Sequence, residues 1–302
     1  MKTKKIVFTD IGKAELLDVV ISDPEEGEIL VRTAYSAVSA GTERANLMRM
    51  PNTAAATATA DSYPDWGGGY SSTGIVHMIG SGVKSVSPGD RVLTMWGRNS
   101  GYNLVPESHV IKITDESLSL LYASFTFIAS FPAAGIRKTQ LEFGESAMVF
   151  GIGILGAFAV QLCRLAGAYP VIAADLDVNR RKLALDLGAD YAFDPRDPVF
   201  EQSVKDVTRG KGVNAVIEVT GQSVALKQAL SCTAPLGRIS LLGCTRVSDA
   251  SIDYYQQVHR PGITIVGAHT NARPKVESYP HYWTERDDCL ALLDFMAHNR
   301  LD

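Results

Sequence analysis

The chain has 302 residues, enough for two domains, and a hydrophobic share of 46% that suits well-packed globular cores. Basic and acidic residues nearly balance at a net charge of −4, which gives no overall attraction to nucleic acid. No apolar run reaches membrane-spanning length and the start lacks a signal-peptide core, so a cytoplasmic protein without nucleic-acid or membrane partners is expected.

Residues 1 to about 35 alternate in short strand-like pieces at 5–8, 15–19 and 28–33, parted by turn signals at 10–12 and 23–27. Residues 51–69 form a Pro/Ala/Thr/Gly-rich loop whose Tyr63, Pro64 and Trp66 could cover a pocket. Strands resume at 74–79, 88–93 and 109–113, with His77 and His109 as strand residues and no case for ligation. From about residue 121 the pattern turns to strands at 146–150, 171–174, 190–193, 213–219, 237–242 and 262–267. Helices such as 179–187 and 222–231 fit between them, which predicts six parallel strands in a doubly wound α/β sheet. A helix over 285–298 then leads back to the first domain. The expected division is therefore 1–120 with 270–302 as a β-rich domain, and 121–269 as a dinucleotide-binding domain.

The run Val149-Phe150-Gly151-Ile152-Gly153-Ile154-Leu155-Gly156 reads as a strand turning through GxGxxG into a helix. Gly151 permits the tight turn, Gly153 admits a pyrophosphate, and Gly156 allows close helix–strand packing. The next apolar strand ends on Asp175, whose carboxylate can accept ribose hydroxyls and repels a 2′-phosphate. NAD is the expected cofactor, with Leu176 and Arg180 alongside; Arg180 and Arg181 are the residues that speak for NADP instead. Cys163, Cys232, Cys244 and Cys289 form no CxxC pair, which argues against a disulfide framework and a clustered structural zinc site. Cys163 reads as a small buried apolar residue.

The phrases GSGVKSVSPGDRVL (80–93), GIGILG (151–156), DLDVNRRKLALDLGAD (175–190), GVNAVIEVTG (212–221) and GRISLLG (237–243) stand in one order. Through them the chain resembles the medium-chain dehydrogenase/reductase family over essentially its whole length. The resemblance implies a GroES-like catalytic domain beside the Rossmann domain, and homodimers formed by edge pairing of the last Rossmann strand, here 263–267. It also implies cofactor contacts at Thr220, at Leu242, Gly243 and Cys244, and at Ala268, His269 and Thr270. A lone His after a strand more often makes a local hydrogen bond. The family usually continues for some tens of residues past a helix like 285–298, so an end at Asp302 reads as a truncated product or a shortened variant.

The departures from the family carry the functional expectation. Where zinc-dependent members place three metal ligands, this chain has Ala40, Tyr70 and Thr126. Ala has no donor, and Tyr and Thr are poor zinc ligands beside Cys, His or carboxylate, so no metal site is expected. The GTER at 41–44 and the Gly69-Tyr70-Ser71 phrase resemble a zinc-less branch that groups with bacteriochlorophyllide-type and sugar or polyol alcohol dehydrogenases. Without a metal, a side-chain donor must stabilise the developing alkoxide. Tyr70 is either that donor or an aromatic packing in its loop. Thr42 matches the family's proton-relaying hydroxyl. Glu43 is a general base or an ion-pair partner of Arg44. Hydroxyls at Thr42, Tyr70, Ser71 and Thr126 suggest a sugar, polyol or sugar acid as substrate. The expected activity is zinc-independent hydride transfer between NAD(H) and such an alcohol or its carbonyl. A quinone or enoyl reductase and a non-catalytic NAD-binding protein are the alternatives.

Overall fold

The structure, a computed structural model, describes residues 1–53, 56 and 68–302; the expected pocket cover at Tyr63, Pro64 and Trp66 lies outside the described residues. The chain folds into two compact units, Met1–Ile128 with Cys289–Asn299, and Ala129–Asp288 with Arg300–Asp302.

The first unit begins with an antiparallel hairpin of β1 (Lys2–Asp10) and β2 (Lys13–Val20). Its main sheet is antiparallel, in the order β6 (Tyr102–Pro106), β3 (Glu28–Ala37), β4 (Ser71–Ile79), β5 (Arg91–Met95) and β7 (Val110–Lys112). Ile29, Val31, Val76, Val92, Val105 and Val110 point to one side and are buried together, which is the period-two signature of a half-buried sheet. Two elements escape the sequence pattern. β6 pairs with β3 and alternates in burial, but one of its buried positions is the polar Asn103, whose Nδ2 donates to Thr33 Oγ1 at 3.0 Å, and it ends on Pro106. Helix α1 (Ala40–Leu47) buries only Ala45. His109 lies in a 3₁₀ turn over 107–109, not in a strand. The short α2 (Leu120–Ala123) starts at Ser119, whose hydroxyl accepts the Leu121 N–H.

The second unit is built on six parallel strands: β8 (Ala147–Phe150), β9 (Val171–Ala174), β10 (Tyr191–Phe193), β11 (Val213–Glu218), β12 (Thr233–Leu241) and β13 (Thr264–Gly267). Their order in the sheet is β10-β9-β8-β11-β12-β13. The chain therefore reverses its direction of travel across the sheet between β8 and β11, the place where such folds open a crevice at the strand carboxyl ends. Helices α4 (Ile154–Leu165), α5 (Val178–Asp186), α6 (Phe200–Val207) and α7 (Ser223–Cys232) make the crossovers. Buried Met148, Phe150, Ile172, Val216 and Ile239 of the strands meet Phe200, Val204 and Leu230 of the helices. Cys163 on α4 is fully buried, and that burial pushes its thiol up to about 12.

The boundary departs from the expected one. Residues 270–288 pack with the second unit, and only Cys289–Asn299 join the first. The reason is a buried ionic anchor. Arg273 donates to the Ser130 carbonyl, and its Nη1 lies 3.4 Å from Ser130 Oγ and 3.6 Å from Asp288 Oδ2. Arg137, on helix α3 (Thr126–Lys138), donates to Asp288 at 2.9 Å at the start of helix α8 (Glu285–Ala297) and lies over the Trp283 ring. No helix among the described residues is long and apolar enough to cross a membrane.

Candidate functional site

In the second unit β8 delivers the chain into Gly151, whose φ of 88° is a left-handed conformation that an L side chain would strain. The Gly151 N–H donates to the Ala174 carbonyl at 2.8 Å, fixing the bend to the end of β9. A Cβ at Gly156 would stand 1.9 Å from the Gly151 oxygen, so α4 can close on the bend only with glycine there. A Cβ at Gly153 would meet nothing within 4 Å, so that side of the bend is open. Gly153 is also the N-cap of α4 and no side chain caps the helix. First-turn N–H groups have no intrahelical acceptor, so those of Ile154, Leu155 and Gly156 are suited to an anion above Gly153.

Asp175 follows β9 and is 8% exposed. Its Oδ2 accepts the Ile152 N–H at 2.6 Å and its Oδ1 accepts the Asp177 N–H at 2.8 Å. One side chain thus ties the glycine bend to the entry of α5, where Asp177 caps by accepting the Asn179 N–H at 2.7 Å. A carboxylate offers about four acceptor sites, so Asp175 retains capacity for hydroxyl donors. Leu176 is exposed, and Arg180 stands with its Nη1 3.9 Å from Asp175 Oδ2.

On the far side of the crevice, a Cβ at Gly151 would meet Thr220 Cγ2 at 2.6 Å, so Thr220 lies against the bend. Its loop is shaped by Glu218, which the sequence reasoning missed. Glu218 is 2% exposed and accepts the Thr220 N–H at 2.7 Å, the Thr220 hydroxyl and the Gly221 N–H at 3.0 Å. Burial raises its carboxyl above the ordinary glutamate range, against the pull of those donors. The only signal for it is an acidic residue directly after the apolar run Ala215-Val216-Ile217. The Leu242 and Gly243 N–H groups both donate to the Glu218 carbonyl, at 3.0 and 2.7 Å, and exposed Cys244 follows against Gly221. After β13, Ala268 is buried and bonds the Leu241 carbonyl at 3.2 Å. Exposed His269 accepts the Asn271 N–H on Nδ1 at 3.1 Å, and Thr270 is half-buried.

In the first unit the GTER segment is the start of α1. Glu43 turns inward to Asn99 instead of pairing with Arg44: its Oε2 accepts Asn99 Nδ2 at 3.0 Å and its Oε1 accepts the Ser39 N–H at 3.3 Å. A backbone bond from Gly69 joins them, and a Cβ at Gly68 would stand 2.2 Å from Glu43 Oε2. Asn99 in turn accepts the Ser36 hydroxyl. Burial outweighs these donors and raises the Glu43 carboxyl above its ordinary value. Thr42 precedes Glu43 and is half-buried, its carbonyl accepting Asn46 Nδ2 at 3.0 Å. Tyr70 follows directly on Gly69, and its ring lies 6.2 Å from Trp96 and 6.1 Å edge-on from Phe127. Glu43, Thr42 and the segment carrying Tyr70 are therefore neighbours.

Two expected pocket hydroxyls are spent elsewhere. Ser71 is fully buried and donates to the Ser124 carbonyl at 2.5 Å; Thr126 is fully buried and donates to Met296 Sδ at 3.4 Å. Both hydroxyls donate inside the first unit. The positions that answer to a catalytic zinc site thus offer Ala40 with no donor, Tyr70, and a committed Thr126, a donor set that does not fit a zinc ion. Among the described residues no group of three or more His, Cys, Asp or Glu side chains is placed to hold a metal.

Comparison with known proteins places these features. A family model described as zinc-binding dehydrogenase matches residues 155–285. L-threonine 3-dehydrogenase of Pyrococcus furiosus is 36% identical over 124 residues, 41% of this chain and 35% of that protein. D-guloside 3-dehydrogenase of Escherichia coli K12 is 29% identical over 167 residues, 55% of this chain and 47% of that protein. The matched stretch thus spans about a third of the first relative and about half of the second. A solved structure from Sinorhizobium meliloti 1021, named for a zinc-binding dehydrogenase and bound to NADP, superposes with a TM-score of 0.82. It covers 100% of this chain and 90% of its own at 21% identity, which is a likeness of fold.

Proposed function

We propose that the chain is a member of the medium-chain dehydrogenase/reductase family and a zinc-independent oxidoreductase using NAD(H) on an alcohol, or the corresponding carbonyl, of a hydroxylated small molecule. The observation that carries the proposal is the open, uncapped glycine cradle with Asp175 beside it. In this reading the amides of Ile154, Leu155 and Gly156 hold the pyrophosphate and Asp175 accepts ribose hydroxyls. Thr220, Leu242, Gly243, Cys244, Ala268, His269 and Thr270 line the nicotinamide end. A bound nicotinamide supplies the hydride acceptor or donor.

The chain's own part is the proton. Glu43 is buried enough for its carboxyl to titrate above the ordinary range, which suits a group that accepts a proton from a substrate hydroxyl. Thr42 offers the relay hydroxyl beside it. Tyr70 donates its phenol to the substrate oxygen, with Trp96 and Phe127 fixing the ring plane. A sugar, polyol or sugar acid is the proposed substrate class, supported by Thr42, Tyr70 and Glu43 together and by the sugar-acting relative. Dimerisation through β13, which ends the six-stranded sheet, is part of the same proposal.

The test is a titration with NADH followed by turnover on a panel of sugars, polyols and sugar acids. Saturable NADH binding with NAD reduction on members of the panel supports the reading. Reduction of quinones or enones alone would replace it with a C=C reductase. Nucleotide binding without turnover on either panel would leave a non-catalytic NAD-binding protein.

A further inference from the structure

The carboxyl ends of β9 and β10 lie side by side, with Ala174 opposite Phe193, so Asp194 stands next to the backbone of Asp175. Three arginines, Arg180, Arg181 and Arg196, gather at this edge. They would suit a 2′-phosphate, because guanidinium groups bind phosphate in paired, charge-assisted hydrogen bonds. Two of the three are held elsewhere. Arg196 grips Asp194 in a fork, Nε to Oδ1 at 3.0 Å and Nη2 to Oδ2 at 2.6 Å, and its Nη2 also donates to the Leu176 carbonyl at 2.9 Å. Arg181 Nη1 reaches Asp194 Oδ2 at 3.1 Å and donates to the carbonyls of Asp175 at 2.7 Å and Leu176 at 3.0 Å. One carboxylate therefore holds two guanidiniums against the backbone of residues 175–176.

We propose that Asp194 is a cofactor-specificity residue: by pinning Arg181 and Arg196 to the backbone of residues 175–176, it withholds from a 2′-phosphate two of the three cations at this edge. At this arginine-rich edge Asp194 then occupies two of the guanidiniums, and Arg180 stands beside Asp175. Asp175 excludes the 2′-phosphate by its own charge, and Asp194 disfavours it by weakening the attraction. This inference rests on the dinucleotide reading of the cradle and names a determinant of its selectivity.

The experiment is equilibrium titration of the parent, D194N, and D194N combined with R196Q, with NADH and NADPH, following nicotinamide fluorescence. Asn keeps the oxygen that accepts the Arg196 backbone N–H, so the turn after β10 is preserved in the variant. The parent is expected to prefer NADH. In D194N the NADPH affinity should rise about five-fold, the scale of one partly exposed ion pair, with NADH affinity nearly unchanged. Removing Arg196 in that background should reverse much of the gain. Raising salt to about 1 M, where the screening length falls to about 3 Å, should erase it. An unchanged NADPH/NADH ratio in D194N, or a parallel loss of both nucleotides, overturns the role of Asp194 while leaving the cradle intact. A parent that prefers NADPH overturns it as well. A parent that binds neither nucleotide removes the dinucleotide reading and this inference together.

Discussion

Two carboxylates, one in each unit, are held in opposite ways. Asp175 is gripped by amides from Ile152 and Asp177, both belonging to the loops that frame it, so the side chain completes a device assembled from a short stretch of chain. Glu43 is held by Ser39, Asn99 and Gly69, from a helix start, a loop before β6 and the lead into β4. The first arrangement shapes a backbone for a ligand. The second places an acid in a half-buried spot where ionisation is costly, which suits a group that must change protonation state. The glycine bend and its carboxylate thus involve two neighbouring loops, whereas the surroundings of Glu43 draw on segments up to 56 residues away in the chain.

The sharpest way to break that contrast is E43Q. Loss of a positioned general base typically costs about 10² to 10⁴ in rate, so kcat for alcohol oxidation should fall by that order with NADH affinity retained. The parent rate should rise with pH through a midpoint above the ordinary glutamate value, because burial raises the group and only the ionised form accepts the proton. E43Q should lack that limb. The stability sign follows from the same shift. A raised carboxyl contributes stability present below its unfolded value and lost as pH rises through the folded one, so E43Q should be no less stable than the parent at neutral pH by denaturant midpoint. A pH profile shared by both proteins would make Glu43 structural.

The next largest effect tests the cradle. G156A forces a Cβ to 1.9 Å from the Gly151 oxygen, a backbone atom that cannot swing aside. Overpacking of this kind costs about 1–3 kcal/mol, and it should reduce NADH affinity as the bend opens. Normal NADH binding in G156A would mean that the bend is not the cofactor seat. The smallest effect is expected for Y70F, which keeps the ring contacts with Trp96 and Phe127 and removes only the hydroxyl. A roughly tenfold fall in kcat, with stability within about 0.5 kcal/mol of the parent, separates proton donation from aromatic packing. Unchanged turnover would leave packing as the sole role.

What could be read from residues alone follows the same division. The parallel strands fall within a few residues of their expected spans because each is a continuous apolar run bounded by turn signals. β12 starts earlier than expected, at Thr233, through a register shift against β11 that no local pattern announces. α1 gives little signal because it buries one small residue, and β6 because one of its two buried positions is the polar Asn103. Ser71 and Thr126 turn their hydroxyls to the Ser124 carbonyl and Met296, a direction that residue type does not report. Glu218 was overlooked because its importance lies in which amides its burial leaves for it to accept.

The amino-acid order by itself determined the glycine bend, the doubly wound sheet and the acid at the tip of β9, because turn conformation and strand burial are set by residues close together along the chain. Only the tertiary structure decided that Glu43 faces Asn99, that two hydroxyls are spent internally, and that Asp194 disarms a pair of arginines. Those outcomes depend on donors and acceptors remote in the chain competing for one another in places from which water is partly or wholly excluded, where an unmade bond is expensive.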